Sequence, residues 1–317
     1  MHKDQCLKIA QDWLSHFEKV LQSGKSNDLE DCFHSESHWR DLLAFTGTIS
    51  PYGGAKEISL GLNSFQKIAQ AHSFRIIDKH AQPRLVNRLG RPVIEAIFAF
   101  ETKLGRGEGV VRVPESSQKT AWTFLTTLSE IREFPEKVGL NRPSGEAYSR
   151  KFGGSNWLDQ RQESIKFSDR EPTVLVVGGG QAGLAVAARL GQLEIETLVI
   201  DKHDRIGDNW RKRYHSLALH NQIHVNHLPY LPFPPTWPKY IPKDMLANWF
   251  ELYADVMQVN FWTGTKLINA NYDGRLNHWV ATVRQNNNSE RILKPKHIIF
   301  ANGVSGIPYK PKLDGLC

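Results

Sequence analysis

The chain has 317 residues, 40% of them hydrophobic and 23% charged, with 40 Lys and Arg against 33 Asp and Glu and a net charge of +7. That is enough chain for two ordinary domains and too apolar for a disordered polymer. The basic residues are scattered, which argues against a nucleic-acid partner, and no apolar stretch is long enough to cross a bilayer. Cys6, Cys32 and Cys317 form no C-x-x-C pair, which argues against a disulfide framework, a zinc ribbon and a dithiol redox centre. With no apolar h-region at the N-terminus, the expected location is cytoplasmic.

In chain order, Ile9, Trp13, Phe17 and Leu21 recur at helical spacing, and Gly24 closes that helix. A second short helix is expected over Asp28–Phe33. A helix over Ile58–Ala71 then precedes strand-like runs at Phe74–Ile77, Val93–Glu101, Gly109–Val113 and Ala121–Glu130. Helices followed by antiparallel strands predict an α+β domain over residues 1–135, with a curved sheet wrapped over the helices. Residues 136–171 are rich in Gly, Pro, Ser and basic side chains and read as a linker carrying a short helix at Trp157–Gln162.

From residue 172 the pattern changes. Val174–Val177 is an apolar, mostly β-branched run that breaks on Gly178, Gly179, Gly180 and Gly183. An Ala/Leu-rich helix reaches Leu193, and a second apolar run, Thr197–Ile200, ends on Asp201. Strand, glycine turn, helix, strand and acid make a dinucleotide-binding βαβ unit. Gly178 permits the tight turn, Gly180 allows a pyrophosphate close to the backbone, and Gly183 lets the helix pack on the strand. The helix N-terminus favours the phosphates, and Asp201, about 20 residues on, suits a ribose 2′-OH. Further along, a helix is expected over Lys243–Val256, then a meander of Thr265–Asn271, His278–Arg284 and Arg291–Phe300.

Several clusters have a bland reading beside a sharper one. Glu30, Asp31, His34, Glu36, His38 and Asp41 could ligate a metal, but a solvated helix end is favoured, and no metal site is expected. The prolines between Pro229 and Pro242 alternate with Leu228, Tyr230, Leu231, Phe233, Trp237 and Tyr240, which favours a packed loop over a polyproline ligand. His215, His224 and His227 read as surface or structural residues.

Residues 172–317 resemble the flavin-containing monooxygenases. The resemblance rests on the glycine turn, Asp201, Gly207-x-x-Trp210, Leu217-x-Leu-His220, the Leu-Pro-x-x-Pro-Phe-Pro loop and Phe300-Ala-Asn-Gly…Ile-Pro. It is nearest to the subgroup holding plant indole-pyruvate monooxygenases. It implies an α/β Rossmann-type FAD-binding domain with a small β-meander. Gly178, Gly180, Gln181, Ala182, Gly183, Asp201 and Lys202 would then bind the FAD phosphates and ribose. Trp210 and His220 would lie beside the flavin, and Asn302 and Gly303 would close its far side. In this family NADPH reduces the flavin, O₂ adds at C4a, and the protected hydroperoxide oxygenates a small organic substrate. Two departures stand out. Asn302 replaces a usual Thr, and no second glycine fingerprint for NADPH follows residue 183. The expectation is therefore an incomplete FAD domain, inactive on its own.

Residues 1–135 resemble the cone-shaped α+β domains of the NTF2/SnoaL type, through Trp39-Arg-Asp41-Leu-Leu-Ala-Phe-Thr-Gly after two helices. An apolar pocket in the cone and a homodimer interface both remain open. Two other functions stay in view for the chain: an NAD-dependent dehydrogenase, and a non-catalytic flavin-binding or dimerisation protein.

Overall fold

A computed structural model describes residues 2–77, 81–144, 153–304 and 309. The chain divides into two compact units, Met1–Pro135 and Glu136–Cys317.

The first unit opens with α1 (Lys3–Ser23), whose buried face carries Trp13, Leu14, Phe17 and Leu21 and which ends on left-handed Gly24. The short α2 (Ser26–Glu30) and the longer α3 (Ala55–Ala69) complete its helices. The strands are β1 (Phe33–Leu42), β2 (Ile49–Gly53), β3 (His72–Ile76), β4 (Arg84–Arg88), β5 (Arg91–Glu101), β6 (Gly105–Pro114) and β7 (Ala121–Ile131). They form one sheet ordered β2-β1-β7-β6-β5-β3, with β4 also pairing β5. The β1–β7 pair is parallel and the others are antiparallel.

The interior is filled by rings. Trp13 stacks on Phe17 at 5.0 Å, Phe74 on Phe100 at 5.0 Å, and Phe98 on Phe124 at 5.4 Å. Glycine makes room for them on β6. A Cβ at Gly107 would sit 2.3 Å from the Phe100 ring, and one at Gly109 would sit 2.3 Å from Phe98.

Residues Phe33–Leu42 correct the expected solvated helix end, because they form a strand. Its buried positions include Ser37 and Asp41 beside Phe33 and Trp39, so polar residues occupy core positions and mask the alternation. Asp41 Oδ1 accepts from Thr126 Oγ1 at 2.6 Å, and Oδ2 accepts from the Phe45 and Thr46 amides at 3.0 and 2.8 Å. Asp41 is thus a structural acceptor that ties β1 to β7 and to the following turn. Among the described residues, no group of three His, Cys, Asp or Glu could hold a metal ion.

The second unit contains α4 (Trp157–Lys166), β8 (Val174–Val177), α5 (Gln181–Gln192), β9 (Thr197–Ile200), α6 (Asp208–Arg211) and α7 (Lys243–Val256). These are followed by β10 (Phe261–Trp262), β11 (Thr265–Asp273), β12 (His278–Gln285), β13 (Glu290–Leu293) and β14 (His297–Phe300). A parallel sheet runs β10-β9-β8-β14, and β11-β12-β13 form an antiparallel meander.

Two expectations change here. The run read as one strand, 291–300, is two: Pro295 interrupts it, and the chain leaves the meander to pair beside β8. The segment read as a linker also contributes to this unit's core. Phe167 is fully buried with Leu175, Leu198 and Ile200, and Trp262 Nε1 donates to the Ile165 carbonyl at 2.7 Å. No helix among the described residues is long and apolar enough to cross a membrane.

Candidate functional site

The order β10-β9-β8-β14 reverses direction at β8, where the next strand in sequence goes to one side and the last goes to the other. In open α/β sheets, ligands bind beyond the carboxyl ends of the strands at such a switch point. Gly178 follows β8 there, and Ala301 and Asn302 follow β14. The Ala301 amide donates to the Val177 carbonyl at 2.8 Å, so the two chain ends leave the sheet side by side.

Each glycine of the turn has its own reason. Gly178 has φ +108, and a Cβ there would meet the Ala301 carbonyl oxygen at 2.6 Å. At Gly179 a Cβ would enter the Phe261 ring at 2.0 Å, and at Gly183 it would lie 1.9 Å from the Gly178 carbonyl oxygen. These three are demanded by the protein's own packing. Gly180 is different. Its φ of −79 is open to any residue, and a Cβ would meet only the end of the Asn209 side chain, at 3.0 Å. Nothing in the fold itself requires glycine at 180. As N-cap of α5 it also brings no side-chain acceptor, which leaves the first-turn amides of Gln181, Ala182 and Gly183 for an incoming group.

Asp201 closes the other end of the turn. Its Oδ2 accepts from the Gly179 amide at 2.7 Å, and its Oδ1 accepts from the His203 amide at 2.9 Å and His203 Nδ1 at 2.7 Å. The side chain is 15% exposed, so it still faces solvent beside the turn. Lys202 follows it and is exposed.

Trp210 reaches the site from α6. Its Nε1 donates to Gln181 Oε1 at 3.3 Å, at the first residue of α5. The short helix is fixed from below. Gly207 has φ +88, and a Cβ on it would strike the Ala247 carbonyl oxygen at 2.4 Å, so glycine is needed for α6 to lie against α7. Arg211 donates to the Ile206 carbonyl at 2.6 Å and to Glu251 at 2.9 Å, and buried Lys243 donates to the Arg211 carbonyl at 3.0 Å. Burial would raise the Asp208 carboxyl, but Lys212 and Arg211 hydrogen-bond to it and hold it below the ordinary range.

The proline-rich stretch is a packed loop. Phe233 stacks on Trp237 at 5.3 Å and both meet Trp249, while His227 Nδ1 accepts from the Phe233 amide at 3.0 Å. Tyr230 Oη donates to Glu136 at 2.6 Å, and burial together with that carboxylate pushes the phenol well above its usual range.

The structure therefore brings together Gly178, Gly180, Gln181, Ala182, Gly183, Asp201, Trp210 and Asn302. His220 and Gly303 are exposed. Ile307 and Pro308 of the closing motif, and Cys317, lie outside the described residues. Sequence reading did not single out Asn209, His203 or Phe261; each is visible only once the turn is folded. A groove of about 700 Å³ in the first unit, lined by Phe33, Gly54, Lys56 and Leu60 among others, contains none of the predicted cofactor-binding residues, though Glu30 and Asp31 of the acidic cluster lie on its wall.

Residues 176–235 match the family model of NAD(P)-binding Rossmann-like domains. Among curated proteins, the chain is 32% identical over 142 residues to the probable indole-3-pyruvate monooxygenase YUCCA1 of Arabidopsis thaliana, covering 44% of this chain and 33% of that one. It is 31% identical over 146 residues to the indole-3-pyruvate monooxygenase YUCCA1 of Oryza sativa subsp. japonica, covering 46% and 35%. A solved flavin-containing monooxygenase from Stenotrophomonas maltophilia overlaps at a TM-score of 0.39 with 20% identity, over 44% of this chain and 41% of that one. The chain thus spans about a third of the length of these curated relatives. Residues 176–235 are thus similar to NAD(P)-binding Rossmann-like domains, and just under half of the chain is similar to indole-3-pyruvate monooxygenases.

Proposed function

We propose that the second unit is the FAD-holding part of an NADPH-dependent flavin monooxygenase acting on a small organic substrate. The observation that carries this is Gly180, a glycine that the fold does not need, facing the open first turn of α5 at the switch point of a parallel sheet. A dinucleotide pyrophosphate fits that cradle, since it needs backbone approach without a Cβ and amides pointing at it.

The Gln181 and Ala182 amides would hold the pyrophosphate, Gly178 and Gly183 would shape the turn, and Asp201 would accept from the adenosine ribose with Lys202 beside it. Trp210, His220, Asn302 and Gly303 are assigned to the flavin side. Trp210 has a visible means of orientation, its bond to Gln181. When bound, FAD would supply the redox chemistry between NADPH, O₂ and substrate. The sheet order of the first unit, with β1 parallel to β7 and three helices, supports an NTF2/SnoaL-like domain, through which two copies would pair. A cytoplasmic setting follows from the cysteine usage.

The family-model description favours a second reading, in which the same turn holds NAD(P) as in a dehydrogenase. Mass spectrometry of the nucleotide released from the purified chain separates the two. FAD is the expected product; retained NAD(P) with no flavin would overturn the monooxygenase reading.

A further inference from the structure

The geometry points to His203 as a specificity-determining residue that limits Asp201 to reading a single ribose hydroxyl. This rests on the reading that the βαβ unit holds an adenosine dinucleotide. A carboxylate offers about four acceptor positions, two on each oxygen. On Asp201, Oδ1 has both filled, by the His203 amide at 2.9 Å and by His203 Nδ1 at 2.7 Å. Oδ2 has one filled, by the Gly179 amide at 2.7 Å. One position remains, and it lies on the oxygen that faces the glycine turn.

The bond to a carboxylate also fixes the imidazole, since Nδ1 must carry the hydrogen. The arrangement is held from outside the pair. The Asp201 amide donates to the Trp262 carbonyl at 3.0 Å, the Thr265 amide to the Asp201 carbonyl at 2.8 Å, and the Gly264 amide to the His203 carbonyl at 2.7 Å. These bonds fix the backbone of both residues, so the His203 amide stays on Oδ1, and the imidazole is held there by its own bond to the same oxygen. With Oδ1 saturated, the carboxylate cannot clasp both hydroxyls of the ribose diol. It accepts from the 2′-OH alone, and the 3′-OH stays with water.

Calorimetric titration of the full chain, stripped of bound nucleotide, with ADP, 2′-deoxy-ADP and 3′-deoxy-ADP tests this. The 2′-deoxy analogue should bind about tenfold or more weakly than ADP, the scale of one hydrogen bond to a charged group, and the 3′-deoxy analogue should bind within about twofold of ADP. In His203→Phe, Oδ1 regains an acceptor position, and 3′-deoxy-ADP should fall clearly behind ADP. His203→Gln keeps a side-chain N–H donor and should restore the wild-type pattern. Equal losses for both analogues in the wild type, or no loss for either, would overturn the inference, as would a His203→Phe protein with the wild-type pattern. If ADP itself does not bind, the dinucleotide reading fails first. The analogue series on the unmodified chain decides the matter even where a variant does not fold.

Discussion

The glycines of β6 and the glycine at 180 are absent side chains for opposite reasons. On β6, a Cβ at Gly105 would lie 1.8 Å from the Glu130 carbonyl oxygen, and Gly107 and Gly109 stand beneath the Phe100 and Phe98 rings. There the protein fills the space itself. At Gly180 the space is left open, with only the mobile end of Asn209 near it. The first pattern marks a finished core and the second marks room kept for another molecule. A glycine-rich motif therefore becomes informative only after each glycine has been tested against its own surroundings.

Substitution should separate the two kinds sharply. Gly109→Ala and Gly183→Ala each force a Cβ against backbone, at 2.2 Å from the Leu125 carbonyl and 1.9 Å from the Gly178 carbonyl. Each should cost about 3 kcal/mol or more and visibly lower the melting temperature. A change of under about 0.5 kcal/mol at either would break the contrast.

Gly180→Ala should leave the ligand-free melting temperature nearly unchanged. Its φ suits alanine, and the lost chain entropy of glycine offsets a small shift of Asn209. Retention of FAD, or affinity for ADP, should nevertheless fall about tenfold or more, a loss of about 1.4 kcal/mol. Unchanged binding would show that no pyrophosphate approaches there.

The smallest effect concerns a finished polar network in the first unit. Glu95 accepts from Arg84, Arg88 and Arg112 at 2.8 to 3.2 Å. Burial opposes its charge, but the three guanidinium groups win and lower its carboxyl from 4.5 to about 2. Because the folded value is the lower one, this stabilisation is complete above pH 4.5 and is lost as the pH falls towards 2. Glu95→Gln should cost about 1 kcal/mol at neutral pH and should flatten the acid limb of the stability curve. An acid limb identical to the wild type would show that the network contributes nothing.

What could be read from the sequence followed the physics of each element. The helix over Lys243–Val256 and the βαβ unit were legible, because amphipathic spacing and a glycine turn are local signals. Strand β1 was not, since Ser37 and Asp41 occupy inward positions that usually hold apolar side chains. Strand β10 spans two residues and is defined only by its parallel partner β9. In the site, the turn glycines and Asp201 were visible in order along the chain. The engagement of Asp201 by His203, and the approach of Asn209 to Gly180, depend on folding and leave no spacing to recognise.

The excursion of the chain through the meander has a consequence for synthesis. His297 pairs with Val174, and Phe300 with Val177, so the strand that flanks the glycine turn on its far side is made only after the whole meander. While the polypeptide emerges from the ribosome, β8 has one neighbour missing and its apolar edge is unpaired. Parallel pairing across so long an interval is slow, and a bare edge invites association with other chains. Nascent protein should therefore depend on chaperone protection until β14 arrives. A nucleotide can help only afterwards, by trapping a cradle that is already closed.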